Sequence, residues 1–231
     1  MSDQSTFDPA PENRVRRIAE RASYDRAVVH SILDAGYFCH IGFVAGDKPV
    51  VIPMTYWREG EYVYFHSATK GRFAQACVDQ EICITVTQFD GLVLGHSAIN
   101  HSYNYRSVVL SGRAEEVVDP VAKRDAMRSF IEHVIPGRWD DVRPISEGES
   151  KTIRLMRLRL EEVSAKIRNE MPDQETTDPD WPVWVGVLPA QTRFLPPVPD
   201  PTRNRIEPAP DYISGYRGRD THVPDFDKAG D

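Results

Sequence analysis

The chain has 231 residues, a formal net charge of −7 and a pI near 5.5. That length suits one substantial domain, and the acidic balance excludes a surface built to coat a polyanion, which needs clustered positive charge. Cys39, Cys77 and Cys83 form no C-x-x-C pair, which excludes a disulfide framework and a zinc knuckle; a polar stretch over 1–17 and the lack of a long apolar run predict a cytoplasmic protein.

Residues 1–20 carry Pro9, Pro11 and mixed charge without a period, predicting a flexible arm. A helix is expected over 23–34, capped by Ser23, with Ala27, Val28, Ile32 and Leu33 as its apolar stripe and Gly36 as its stop. The period then changes. Segments 37–44, 48–57 and 62–66, separated by turns at 45–47 and 59–60, predict an antiparallel meander. A short helix over 69–79 would turn Phe73, Ala76 and Cys77 inward, before a strand over 82–88 and a tight turn at Asp90-Gly91 into 92–95.

A strand follows over 107–118, and Pro120 suits the first turn of a helix over 121–134. After a loop over 135–149 and a short helix over 150–155, Met156, Leu158 and Leu160 alternate with Arg157, Arg159 and Glu161, predicting one strand over 156–168. The apolar run 181–188 predicts a last strand or docking segment. Beyond 196, Pro197, Pro199, Pro201, Pro208 and Pro210 exclude helix and central sheet, so this tail is expected to be disordered or laid across a neighbouring subunit. Short strands with helices between hairpins predict a mainly β domain over 21–195, centred on a barrel rather than a doubly wound sheet.

Lys70 and Arg72, beside Ser67 and Thr69, mark a strand end running into a helix, a good phosphate site or an ordinary solvated helix start. Arg106 and Ser107 precede Val108-Val109-Leu110 at a strand mouth; Arg106 either reaches a ligand or pairs with Glu115 or Glu116. His66, His96 and His101 are candidates for proton transfer, but no H-x-x-x-H pair supports zinc. Gly95-His96-Ser97-Ala98-Ile99 lacks the second glycine of a nucleophile elbow, and neither G-x-G-x-x-G nor a Walker loop is present. Lys166 and Arg168 end the densest basic segment. Trp181 and Trp184 suit a ring cover, a subunit interface or core packing.

Several longer motifs act together: Tyr24-Asp25-Arg26, Cys39-His40-Ile41-Gly42-Phe43-Val44, Pro49-Val50-Val51-Ile52-Pro53, Phe65-His66-Ser67-Ala68, Asp90-Gly91-Leu92-Val93-Leu94, His101 to Val108 and Pro136-Gly137-Arg138-Trp139. Residues 21–189 thereby resemble the pyridoxamine 5'-phosphate oxidase-like FMN-binding split-barrel family, within it the nitroimidazole-resistance and flavin-nucleotide-binding proteins. The resemblance implies an antiparallel split β-barrel with peripheral helices, forming a homodimer with FMN in clefts between subunits. It assigns Lys70 to the FMN phosphate, and places Pro53, Met54, Thr55, Phe65, His66 and Ser67 at strand ends beside the cofactor. Arg106 and Ser107 would approach the flavin, and Arg72, Lys166 and Trp184 would complete the set. His66 is the catalytic candidate.

The implied activity is FMN-dependent oxidation or reduction of a small molecule, such as a nitroaromatic, a quinone or a pyridoxamine-phosphate-like compound, with NAD(P)H as candidate donor. No Arg-x-His substrate segment stands near the carboxy terminus, which argues against vitamin B6 synthesis. The alternatives are a flavin-binding sensor without turnover, and a haem-binding split barrel using His40, His66, His96 or His101.

Overall fold

The computed structural model describes residues 5–173, 181–220 and 222. The first half comprises β1 (Ala22–Ser23), α1 (Arg26–Ala35), β2 (Phe38–Ala45), β3 (Lys48–Glu59), β4 (Tyr62–Ala68), α2 (Arg72–Cys77) and β5 (Glu81–Leu94). The second comprises β6 (Ser102–Arg113), β7 (Glu115–Glu116), α3 (Pro120–Val134), α4 (Glu147–Thr152), β8 (Ile153–Arg159), β9 (Glu162–Arg168), β10 (Gly186–Pro189) and α5 (Asp211–Ser214). Ten strands form one sheet in the order β1-β9-β6-β5-β2-β3-β4-β8-β7, with β10 on β5. Neighbouring strands are antiparallel, and the sheet stays open between β1 and β7.

Local chemistry explains the joints. Gly46 and Gly60, with φ of 62° and 57°, supply the left-handed residues that the β2–β3 and β3–β4 turns require. Asp25, not Ser23, caps α1: its carboxylate accepts from Val28 N at 3.0 Å, while Ser23 lies in β1. Asp119 caps α3 in the same way, with Pro120 opening the helix.

Alternation along the strands sorts side chains between two faces. Cys39, Ile41, Phe65, Ile84, Val86, Val108, Leu110, Met156 and Leu158 point inward and join Val29, Ile32 and Leu33 of α1 and Phe73 and Cys77 of α2 in the main core. A smaller cluster on the outer face, Trp57, Leu155 and Ala126 with Tyr64 and Phe130, seats α3.

Four further expectations change. The Asp90-Gly91 turn is a bulge within one fourteen-residue strand, β5, which keeps β6 as its partner on both sides of a register shift between Phe89 and Gly91. The strand expected over 156–168 is the pair β8 and β9, broken at Leu160-Glu161; Leu160 is buried, so the apolar alternation runs unbroken through the turn. The expected arm is anchored by Phe7, only 3% exposed, which donates its N–H to Tyr24 O at 2.8 Å and lies under the Arg26 guanidinium.

The fourth concerns the tail. Residues 190–220 form a strap across the chain's own surface: Phe194 packs on Tyr37 and Tyr216, Arg138 donates to the Tyr212 hydroxyl at 2.9 Å, and Arg219 lies over the Tyr37 ring at 4.0 Å. Aromatic and guanidinium contacts hold it along a course mostly without regular structure, and the expected exclusion of helix beyond 196 fails at α5, which starts directly after Pro210. Among the described residues no helix is long and apolar enough to cross a membrane.

Candidate functional site

The outer face is covered by α3 only over the end of β3, β4 and β8. Over β2, β5, β6 and the first half of β3 it is bare: Phe38, Val44, Val51, Phe89 and Val109 are 40–66% exposed. Cross-strand register assembles the surface, setting Phe38 opposite Thr55, His40 opposite Pro53 and Thr85, Thr87 opposite Ser107, and Ser107 opposite Lys166.

The residues marked out by sequence divide between the faces. Pro53, Thr55, Ser107 and Lys166 share the outer one, where Ser107 Oγ donates to Lys166 O at 3.1 Å and Lys166 Nζ donates to Arg17 O at 2.8 Å. Met54 and Phe65 have the opposite parity and pack in the core, out of reach of a ligand on the outer face. Lys70 and Arg72 stand exposed where β4 turns into α2 beside Ser67, and neither has an ion pair among the described residues. Trp184 is 63% exposed and Trp181 equally so, so neither packs in the core.

His66 lies on the outer face beneath α3, its ring 4.9 Å edge-on from Phe130 and 6.1 Å from Trp57. Its Nδ1 and Trp57 Nε1 are buried without a protein partner. Burial lowers the His66 pKa, so the imidazole is neutral at pH 7.

Arg106 faces inward, in step with Val108 and Leu110, and binds neither Glu115 nor Glu116. Its Nε and Nη2 donate to Asp90 at 2.9 and 2.7 Å, and Nη1 and Nη2 donate to Asp220 of the strap at 3.2 and 2.7 Å. Burial opposes the guanidinium charge, but the hydrogen bonds to the two carboxylates outweigh it and raise the pKa; the same bonds hold Asp220 below the usual carboxylate range despite its own burial. Glu115 and Glu116 pair with Arg157 and Arg154 instead.

One cavity, about 380 Å³, lies between the sheet and the strap. Tyr37, Phe38 and His40 line it from β2 and the residue before it, Gln88 and Phe89 from β5, and Gln191, Asp220 and His222 from the carboxy-terminal side. Phe38, His40 and Phe89 are outer-face residues, so the cavity opens onto that face. Gln88 Oε1 is buried without a partner and offers an acceptor on the wall. Sequence reasoning missed this cavity; its signal was the strap's aromatic content, which marked docking but not the surface docked upon.

Residues 25–167 match the family model described as pyridoxamine 5'-phosphate oxidase. The chain belongs to the pyridoxamine 5'-phosphate oxidase family. Among solved structures, the flavocytochrome Anf3 from Azotobacter vinelandii is 38% identical, with a TM-score of 0.86 over 91% of this chain and 99% of that one. The FAD and haem binding protein from Mycobacterium smegmatis is 26% identical, with a TM-score of 0.81 over 86% of this chain and 98% of that one. A 5-nitroimidazole antibiotic resistance protein from Bacteroides thetaiotaomicron shares the fold at 21% identity and a TM-score of 0.52, over 63% of this chain and 86% of that one. No curated protein matched. The family match ends at residue 167, whereas a match over 91% of the chain includes most of the segment beyond it.

Proposed function

We propose that this member of the family is a flavin-binding redox protein that works as a homodimer and carries haem as a second cofactor. The observation that carries the reading is the bare outer face. Its exposed apolar side chains form a patch of the kind that marks an interaction surface, and Pro53, Thr55 and Ser107 lie within it. A second copy packed on this face would enclose a flavin beside those residues and exclude water from it. Lys70 and Arg72, exposed and unpaired, fit the flavin's phosphate.

FMN is the flavin implied by the sequence resemblance, and FAD is named for the M. smegmatis relative. Both present phosphate to the same cations. The bound flavin would supply the redox chemistry. The protein's part is to position the ring, neutralise the phosphate and, through neutral His66 beneath α3, hold or move a proton at the imidazole if the ring edge is reached. Haem enters the reading because the A. vinelandii relative is a flavocytochrome and its match extends well past residue 167, into the segment that builds the strap. The donor chemistry fits, since imidazoles and aromatic rings line the strap cavity.

The test is the absorption spectrum of the purified protein, followed by chromatography of the released flavin. Stoichiometric flavin with a Soret band is expected, with flavin reduction by NAD(P)H and reoxidation by quinone or nitroaromatic acceptors. A colourless protein that takes up neither added flavin nor hemin overturns the reading. Flavin that no reductant or acceptor turns over supports a sensor instead of an enzyme.

A further inference from the structure

Trp57 and His66 stand on paired strands. Trp57 is opposite Tyr64, so His66, two residues further along β4, is its diagonal neighbour on the outer face; their ring centres are 6.1 Å apart at an interplanar angle of 56°. Phe130 of α3 packs against both, its ring 5.0 Å from Trp57 and 4.9 Å edge-on to His66.

The two rings carry complementary groups. An indole N–H only donates, whereas an uncharged imidazole has one donor and one acceptor nitrogen. Trp57 Nε1 and His66 Nδ1 are both buried in this seam without a protein partner. His66 Nε2 has no partner among the described residues either, but it is not buried and reaches solvent. Burial lowers the His66 pKa, and no charged neighbour counters it.

The place of the imidazole proton follows. On Nδ1 it would put two buried donors side by side, with no acceptor for either among the described residues; a lone pair on Nδ1 complements the indole N–H in the same seam. His101 supplies the opposite case. Its Nδ1 is 2.9 Å from Ser97 O, which can only accept, so its proton belongs on Nδ1.

We propose that Trp57 is a positioning residue that keeps the His66 proton on Nε2, so that His66 offers a hydrogen-bond donor, and not a base, to a ligand on the outer face; the ligand's part rests on the flavin reading above. The atom it suits is an oxygen that gains negative charge, such as a quinone carbonyl or a nitro oxygen. An uncharged imidazole N–H stabilises that charge by its position and keeps its proton.

The experiment labels histidine in the full chain with nitrogen-15 and reads the two-bond nitrogen–proton correlations of each ring by NMR at about pH 8, above the ordinary histidine range. Without flavin, His66 is expected to carry its proton on Nε2 and His101 on Nδ1 in the same spectrum. Trp57→Phe keeps a ring but loses the N–H, and should move the His66 proton ratio about tenfold towards Nδ1 while His101 stays as it was. The benzothienyl isostere of tryptophan, with the shape but no N–H, should do the same where Trp57→Phe disturbs packing. A wild-type His66 with its proton on Nδ1, or a ratio that neither replacement moves, overturns the assignment whatever the protein binds.

The flavin-loaded protein then separates donor from base. His66→Gln retains an N–H and should keep near wild-type quinone reduction by NAD(P)H, whereas His66→Leu should lose about tenfold with its flavin retained. Equal large losses make His66 a base and overturn the donor role; no loss in either variant overturns its contact with the ligand. A wild type that takes up no flavin overturns the functional reading and with it the ligand's part, while the proton positions are read independently of both.

Discussion

Arg106 and Asp90 form a bidentate ion pair inside the protein, with Nε and Nη2 at 2.9 and 2.7 Å from the two carboxylate oxygens and both residues under a tenth exposed. Asp220 occupies the other edge of the guanidinium, so one cation joins β5, β6 and the strap. Removing a partner from a buried pair costs about 3–5 kcal/mol because the remaining charge is stranded. Asp90→Ala should lose that much in denaturant unfolding. Asp220→Ala leaves Arg106 its inner partner and should lose about 1–3 kcal/mol, the worth of hydrogen bonds to a charged group. Equal losses would show that the strap and the inner carboxylate bear on Arg106 alike.

His133 ties stability to pH. Burial, helped by the neighbouring Arg219 charge, depresses its pKa to about 4. In the unfolded chain it titrates near the ordinary value of roughly 6.5. Between these values the unfolded state binds the extra proton, so this contribution is fully present above about 6.5 and is lost as pH falls towards 4. The denaturation midpoint should decline across that window, and less steeply in His133→Gln. Parallel curves for the two proteins would remove His133 from the account.

Gly91 sits at the β5 bulge with φ of 157°, and a Cβ there would lie 2.8 Å from Leu188 O of β10. Gly91→Ala should therefore detach β10 before it harms the sheet. Hydrogen exchange is expected to speed at Val187 and Leu188 while amides of β6 stay protected; unchanged protection in β10 would contradict the clash.

Val51, 66% exposed on the bare face, tests the proposed dimer. In an isologous interface Val51→Glu brings its charge in twice, so sedimentation should report the monomer mass and flavin retention should fall, with the far-ultraviolet spectrum intact. A dimer that persists moves the interface elsewhere.

Lys70→Ala removes one cation from the proposed phosphate contact. A hydrogen bond to a charged group is worth about 1.5–3 kcal/mol, so flavin affinity should weaken about 10- to 100-fold in equilibrium titration, without loss of stability at this exposed position. Undiminished affinity would place the phosphate elsewhere.

Much of the fold was legible because its signals are local. The Asp119-Pro120 start of α3, the Gly46 and Gly60 turns and the alternation in β2 can each be read within a few residues. The errors arose where local signals conflict with distant pairing. Asp90-Gly91 has turn chemistry, yet the continuing partnership with β6 keeps it in a strand; Leu158 and Leu160 keep their alternation through a real turn.

How the candidate residues divide between the faces was legible in part. Pro53, Thr55, Ser107 and Lys166 share the outer face, while Met54 and Phe65 lie on the inner one, as counting along β3 and β4 shows. The same count puts Arg106 in step with Val108 and Leu110 and hence inside. Its partners lie 16 and 114 positions away, beyond any local pattern.

The strap also sets an order of events during synthesis. Arg219 donates to Gly36 O across 183 positions, so the cavity's outer wall leaves the ribosome long after the strands it closes upon. At about 5–20 residues per second, some ten to forty seconds separate the two. The half-built cavity is open throughout that interval, and a cofactor that enters then is enclosed when the strap arrives.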